Sequence, residues 1–389
     1  MFRISRFAEL MKHLPRGVFD RAVEAEQADR YRKSCSCWQQ LITMMYAQLS
    51  GASSLRTLES GFNAQSAHHY HLGVNAVKRS SLSEMNSKGA VAVFATVAEA
   101  LMQRVPSALR REAGPLVRLL DASSITLKGH GFDAWTADTR TRNSQGVKLH
   151  LLLGLNEQAP LSQSITAPNV NDIEHAQTLP IEKGVIYVFD KGYCNYRWWW
   201  HIEQNGSKFV TRFKRNANLR VLKTRPIART ARGTVLKDDI VKLDNRNPGA
   251  GRKNPYTQPL RRIHIAREND SPLVLATNDL KSSALKIAER YRQRWQIELF
   301  FKWIKQHLKI KRFLGRSESA VRIQILTALI AYLLLALYAR ANGLKQSLWL
   351  LLNELRSTLF QRSDTEFHRH RRWRLRRSAF LQCQTVLFQ

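Results

Sequence analysis

The chain has 389 residues, enough for two or three domains with sizeable cores. Its hydrophobic fraction of 44% is that of a globular protein and excludes a disordered chain, and its 4 cysteines are too few for a disulfide scaffold of this length. The charge is the unusual feature, because 62 Lys and Arg residues against 30 Asp and Glu residues give a net charge of +32. A protein this basic is expected to bind a polyanion, and nucleic acid is a better candidate than an anionic membrane surface.

Residues 1–110 predict a helical N-terminal domain. The segment 36–50 has an apolar helical face and ends at Gly51, a residue suited to a helix C-cap. A polar stretch rich in His, Lys, Arg and Ser follows, and it contains Lys78 and Arg79. These two side chains indicate either contacts with DNA phosphates or an ordinary solvated turn, and the sequence leaves both open.

From residue 111 the pattern changes to short apolar runs separated by turns. The runs predict five strands and two short helices, at 115–127, 147–155, 161–168, 171–179 (helix), 184–190, 195–206 (helix) and 207–214. The order β-β-β-α-β-α-β is that of a ribonuclease H-like α/β domain.

Two aspartates are placed at the ends of strands predicted to be central. Asp121 follows the apolar run LVRLL, and Asp190 ends the run GVIYVFD. Strand propensity does not explain them, since Asp is depleted in strands. Ligands of open α/β sheets bind at the carboxyl ends of strands, so both are candidate site residues, with a turn or capping Asp as the alternative.

Residues 215–280 predict a β-rich insertion, a second module with many Lys and Arg residues. Its strands are expected at 219–224, 234–243, 260–267 and 272–278. Asp238 and Asp239 lie on a polar segment without a preceding buried strand, so they are not candidate site residues. The basic loops indicate either a nucleic-acid surface or a solvated surface.

The segment 285–311 lacks Gly and Pro and predicts one continuous helix with two stripes. The apolar stripe, expected to be buried, consists of Ile297, Phe300, Phe301, Ile304 and Leu308. The second stripe places one carboxylate among cations and a phenol, namely Tyr291, Arg294, Glu298, Lys302 and Lys305. It indicates either a site for a metal and phosphates or a surface ladder of ion pairs. The following apolar run, 323–339, is expected to be a buried core helix rather than a membrane span.

Asp121, Asp190 and Glu298 are three carboxylates that could act together. Carboxylates that converge from separate elements can hold two Mg²⁺ ions. Such a pair supports in-line displacement at phosphorus by water or a 3′-hydroxyl.

The spacing Tyr291-x2-Arg294-x3-Glu298-x6-Lys305 matches the YREK signature of a group of bacterial insertion-sequence DDE transposases. The blocks LDASS, GVKLH, FDKGY and QRWQIELFFKWIKQHLKIK resemble the other blocks of that group. The opening segment resembles the N-terminal domain of some members, so the resemblance covers roughly residues 5–340.

This resemblance implies a ribonuclease H-like core interrupted by a β-rich insertion. Asp121, Asp190 and Glu298 would be the catalytic, metal-binding triad for Mg²⁺, with Mn²⁺ able to substitute. Tyr291, Arg294 and Lys305 would contact phosphates of the element end, and we add Lys148 and Lys191, from the blocks around them, as candidate DNA contacts.

The resemblance also implies double-stranded DNA as partner, both terminal repeats and target, and a homodimer in the synaptic complex. In this group ends are often released through DNA hairpins, with an aromatic residue stacked on a flipped base. The insertion here offers only Tyr256, and Trp295 and Trp303 are expected in the core, which places the hairpin step in doubt.

The sequence therefore predicts a cytoplasmic, nucleoid-associated DNA transposase with no membrane partner. Two alternatives are a related metal-dependent nuclease and a non-catalytic or decayed DNA-binding protein. The expected domains are 1–110 (helical, DNA-end binding), 111–214 with 281–340 (catalytic core), 215–280 (insertion) and 341–389 (helical and basic tail).

Overall fold

The structure, a computed structural model, describes residues 4–32, 35–110, 114–243, 254–268, 270–308, 310 and 312–361. Its helices are α1 (Arg6–Met11), α2 (Arg16–Ala25), α3 (Cys37–Ser50), α4 (Leu55–Asn63), α5 (Arg79–Lys88), α6 (Val91–Leu109), α7 (Asp133–Thr136), α8 (Asp172–Ala176), α9 (Tyr196–Gln204), α10 (Ala284–Arg292), α11 (Trp295–His307), α12 (Glu318–Ala341) and α13 (Leu348–Thr358). Its strands are β1 (Val117–Thr126), β2 (Gly146–Gly154), β3 (Ala159–Thr166), β4 (Ile186–Phe189), β5 (Lys208–Arg212), β6 (Leu219–Thr224), β7 (Val235–Leu243), β8 (Leu260–Ile265) and β9 (Leu273–Thr277). The predicted basic tail, from Arg362 onward, lies outside the described residues.

The chain forms two compact units. One contains Met1–Leu101 and Ile304–Gln389, and the other contains Met102–Trp303.

The second unit is built on a nine-stranded sheet in the order β3-β2-β1-β4-β5-β9-β8-β7-β6. Strand β1 pairs antiparallel with β2 and parallel with β4, and β4 pairs parallel with β5. Its strands are buried on both faces near the centre, as their Val, Leu, Ile and Phe content predicts. The first five strands therefore form the ribonuclease H-like core that the sequence predicts.

All four predicted strands of the insertion are present, but they do not form a separate sheet. Strand β9 pairs antiparallel with β5, so the insertion continues the core sheet to its far edge at β6. Asp238 and Asp239 lie on β7, buried, and pair with Arg261 at 2.6 Å and Arg262 at 2.8 Å. Their polar segment is thus an ion-paired strand, and they remain outside the candidate site.

The first unit is helical. Helix α3 begins at Ser36, whose hydroxyl accepts a hydrogen bond from the Gln39 N–H, and ends at Gly51 with φ of 77°, the left-handed conformation that a glycine C-cap adopts at low cost. In the described part of the chain, one helix, α12, is long and apolar enough to cross a membrane, and 83% of its apolar window is buried inside the protein. The prediction of a buried core helix for 323–339 is confirmed.

The segment 285–311 is not one helix, because α10 and α11 are separated at Gln293 and Arg294. The two helices are fixed by different partners: Arg290 of α10 lies 2.9 Å from Asp279, whereas Arg294 lies 2.6 Å from Glu298 of α11. The apolar stripe predicted for this segment is nevertheless buried, from Ile297 to Leu308.

Candidate active site

The register of the central strands brings Asp121 and Asp190 together. Strand β1 runs parallel to β4, and Leu120 is aligned with Phe189, so the next residue on each strand is an aspartate. The prediction that Asp121 ends its strand is wrong, because β1 continues to Thr126 beside β2. Asp121 lies instead where the parallel pairing with β4 ends, and this is the edge at which Asp190 follows β4.

Helix α11 carries the third carboxylate, Glu298, and Arg294 links it to Asp121. The Arg294 guanidinium lies 2.6 Å from Glu298 Oε1 and 3.8 Å from Asp121 Oδ2. Its side chain is 17% exposed, and its Nε is buried without a hydrogen-bond partner. The ladder of ion pairs is therefore present for Arg294 and Glu298, but it points into the sheet edge rather than into solvent.

Asp121 is held in an environment that opposes its ionisation. Burial raises the pKa of Asp121 to about 6, and the charges of Glu298 and Asp190 act in the same direction. The Ala122 N–H, which donates to Asp121 Oδ1 at 2.9 Å, and the Arg294 charge act against this rise. The charges of Glu298 and Asp190 therefore both reach Asp121, which indicates that the three carboxylates lie near one another.

Tyr291 connects α10 to the same site. Its hydroxyl lies 3.4 Å from Asp190 Oδ1, and the Arg294 guanidinium carbon lies 5.8 Å from the centre of its ring. The side chain is buried, and burial and the Asp190 charge raise the pKa of the Tyr291 phenol. The phenol therefore stays protonated near neutral pH and can donate a hydrogen bond.

The remaining predicted contacts differ in their surroundings. Lys191 follows Asp190 and is exposed. Lys148 is 14% exposed and is held 2.9 Å from Asp172 and 2.7 Å from the Val170 carbonyl oxygen.

The other three predicted cations lie in the first unit. Lys305 is on α11, seven residues after Glu298 and therefore two turns along the helix. Lys78 is the N-cap residue of α5, and Arg79 begins that helix; both are exposed.

Sequence reasoning missed the residues around Asp172. Tyr193 is buried in the turn after Asp190, and burial and the charges of Asp172, Asp121 and Asp190 raise its pKa. Tyr193 is the last residue of the block FDKGY, and its position in that block could have identified it as a site residue. His150 on β2 is buried with its ring stacked 4.1 Å from that of His175 on α8, a contact between separate elements that the local sequence does not predict.

The expectation that Trp295 lies in the core is wrong. Its side chain is 55% exposed, and Leu299 one turn further on is 40% exposed. Trp295 and Leu299 directly follow Arg294 and Glu298 in the chain. Helical spacing predicted the buried stripe, but the break before α11 places Trp295 at a helix start instead of in a helix interior.

The carboxylates of the site are of a type that binds divalent metal ions. Three carboxylates provide the hard oxygen donors that such ions prefer. In the described part of the chain, no three His, Cys, Asp or Glu side chains lie close enough together, as they stand, to hold a metal ion. A cation, the Arg294 guanidinium, already lies between Asp121 and Glu298. The carboxylates therefore attract positive charge, and they would fit a metal ion if that guanidinium moved aside.

A ribonuclease H-like sheet with carboxylates where the parallel pairing of its central strands ends defines a class of phosphoryl-transfer enzymes. The sequence pattern of the transposase DDE domain matches residues 112–334, and a domain of unknown function, DUF4372, matches residues 3–75. The chain belongs to the DDE transposase family.

Two relatives and one solved structure are similar to the chain. The transposase y4zB of Sinorhizobium fredii is 39% identical over 73% of this chain and 78% of its own length. The transposase of insertion sequence element IS5377 from Geobacillus stearothermophilus is 29% identical over 56% of this chain and 55% of its own length. A piggyBac transposase, determined by cryo-electron microscopy in a synaptic complex with hairpin DNA, is 10% identical with a TM-score of 0.48 over 94% of this chain and 83% of that one.

The protein is thus a DNA transposase, an enzyme that binds DNA and catalyses DNA cleavage and strand transfer. Family membership implies dependence on a divalent metal. The predictions of family, fold class and enzymatic function are confirmed.

Proposed function

We propose that Asp121, Asp190 and Glu298 are the catalytic triad and that they hold Mg²⁺, for which Mn²⁺ can substitute. One observation carries the proposal: the Arg294 guanidinium links Asp121 to Glu298, and the charges of Glu298 and Asp190 both act on Asp121. When bound, the metal ions supply activation of the attacking oxygen and stabilisation of charge at phosphorus.

The predicted cations and the phenol of Tyr291 position DNA. Tyr291 donates a hydrogen bond from its hydroxyl to a phosphate oxygen, and Arg294 and Lys305 neutralise phosphates of the element end. Lys191, exposed beside Asp190, is the best supported of the additional contacts. Lys148 acts through its charge, since Asp172 and Val170 already occupy its ammonium group.

Trp295 gives the site an aromatic surface. An exposed indole next to Arg294 is suited to stacking on an unpaired base, an interaction that tolerates any sequence. We propose this role at the cleaved end. It supplies an exposed aromatic residue, whereas Tyr256 of the insertion is buried, and therefore favours a hairpin step.

The domains serve DNA binding and synapsis. The helical residues 1–110 contribute to recognition of terminal repeats through Lys78 and Arg79, and 111–214 with 281–340 form the catalytic core. The insertion, 215–280, and the segment 341–389 add basic surface. The protein acts in the cytoplasm on the nucleoid, as a homodimer, because two element ends must be paired.

The test uses duplex DNA carrying the inverted repeats that bound the gene. Asp121→Ala, Asp190→Ala and Glu298→Ala are each expected to abolish cleavage while the dissociation constant for DNA stays near that of the wild type. Asp270→Ala, a change of an exposed carboxylate in the same unit, is the matched control. Full cleavage by any of the three triad variants would remove that residue from the site.

A further inference from the structure

One arginine of α13, Arg356, donates hydrogen bonds to the carboxyl ends of two other helices. Its Nη2 lies 2.7 Å from the carbonyl oxygen of His307, the last residue of α11. Its Nε lies 3.3 Å from the carbonyl oxygen of Leu49, in the last turn of α3. The last four carbonyls of a helix lack partners within the helix, and that end carries partial negative charge. A single guanidinium therefore satisfies and neutralises two helix ends.

Arg356 projects from a fixed element. Its Nη1 lies 3.1 Å from Oδ1 of Asn353 on the same helix, which orients the guanidinium. Helix α13 buries Leu351, Leu352 and Leu355. On its other side, Glu354 lies 2.9 Å from Arg6. Packing and an ion pair thus hold α13 in place, and Asn353 orients the Arg356 guanidinium that caps the two helices.

The capped helix α11 carries Glu298. His307 lies nine positions after Glu298, about 14 Å along the axis of a regular helix. Because a helix of this length moves as a rod, the position of its carboxyl end sets the axial position and rotation of Glu298. The ring of Trp349 on α13 lies 6.1 Å from that of His307 and adds a second contact at the same end.

We infer that Arg356 is a positioning residue for catalysis, which fixes the carboxyl end of α11 and joins it to α3 of the N-terminal helices. The inference rests on the proposed role of Glu298. It extends the catalytic machinery to α13, although the DDE domain match ends at residue 334.

The test compares Arg356→Met and Arg356→Lys with the wild type. Methionine keeps apolar bulk without a donor, and lysine keeps the charge and one donor group. Arg340→Met is the matched control, since Arg340 is an exposed arginine in the last turn of α12. Three quantities are measured: amide hydrogen exchange of peptides covering 300–308, the single-turnover rate of element-end cleavage, and the dissociation constant for DNA.

Arg356→Met is expected to speed exchange in 300–308 and to lower the cleavage rate about tenfold, because a small displacement of a catalytic group is costly. The DNA dissociation constant should stay within about twofold, since Arg356 is not assigned to DNA. Arg356→Lys should recover part of the rate, and Arg340→Met should match the wild type. Wild-type exchange and rate in Arg356→Met, or no recovery in Arg356→Lys, would overturn the assignment.

Two further controls keep the outcomes distinct. If Arg356→Met does not fold, Arg356→Gln, which removes the charge, replaces it: faster exchange in 300–308 with a lower cleavage rate supports the inference, and wild-type exchange and rate overturn it. Glu298→Ala is assayed in parallel. Full cleavage by Glu298→Ala would refute the proposed triad, whereas the exchange measurement reports on Arg356 independently of that result.

Discussion

At the scale of single residues, the free energy of ionising Asp121 is the most informative quantity. Its pKa is raised to about 6, chiefly by burial, from an ordinary value near 3.8. Its ionisation therefore destabilises the folded, metal-free protein. This cost is absent below the unfolded-state pKa and fully present above the folded-state pKa.

Asp121→Asn should consequently stabilise the metal-free protein at pH 7.5 by about 1–2 kcal/mol, with little gain at pH 4. The gain should grow between about pH 4 and 6 and then level off. Urea unfolding of both proteins in the presence of a chelator measures it. An equal difference at both pH values would show that packing, not charge, separates the two proteins.

Arg294 yields a second prediction at this scale. Its guanidinium lies between two carboxylates that we assign to the metal, so it competes with the metal by charge. Arg294→Gln should bind Mn²⁺ about tenfold more tightly, although it cleaves DNA more slowly. Electron paramagnetic resonance titration of free Mn²⁺ gives the affinity. Arg292→Gln, two residues away with an 80% exposed side chain, serves as control, and unchanged affinity in Arg294→Gln would contradict the competition.

At the scale of elements, the insertion depends on buried ion pairs. Arg261 and Asp238 are both buried, with 2.7 Å and 2.6 Å between their paired atoms. Asp238→Ala leaves a buried guanidinium without its carboxylate and should lower the free energy of unfolding by about 3–5 kcal/mol.

Chemical denaturation checks the loss in Asp238→Ala against a surface pair. Asp270 pairs with Arg267 but is 56% exposed, and Asp270→Ala should cost no more than about 1 kcal/mol. Similar losses in the two variants would mean that the β7–β8 pair contributes no more than an exposed one.

The elements themselves were largely predictable, because local patterns decide them. Apolar runs located β1 to β9, and helical spacing identified the buried stripe from Ile297 to Leu308. Pairing across the sheet was not predictable: β9 joins β5 through contacts between residues distant in sequence. The helix break at Arg294 and the exposure of Trp295 have the same origin, since they depend on partners that the local sequence does not contain.

Part of the site was predictable for a related reason. An acid after a buried strand conflicts with strand propensity, and this conflict identified Asp121 and Asp190. The helical row around Glu298 and its resemblance to a known signature supplied the third acid. Tyr193 and His150 gave no such conflict, because an aromatic residue or a histidine in an apolar block looks like ordinary core.

At the scale of the whole molecule, the net charge of +32 predicts strongly salt-dependent DNA binding. The logarithm of the binding constant should fall linearly with the logarithm of salt concentration. Lys191→Ala should reduce that slope by about 1. Lys183→Ala, at the opposite end of β4 and also exposed, should leave it unchanged, as fluorescence anisotropy at several salt concentrations can show. Equal slopes for both variants would remove Lys191 from the DNA contacts.

The central claim is that Asp121, Asp190 and Glu298 form the site of a working transposase. The most direct measurement is strand transfer of a pre-cut element end into target DNA by the wild type and by Asp190→Ala, with Mg²⁺ present and with a chelator. We predict joined product from the wild type with Mg²⁺ only, and none from Asp190→Ala at wild-type DNA affinity. Joined product from Asp190→Ala, or cleavage without joining by the wild type, would contradict the account.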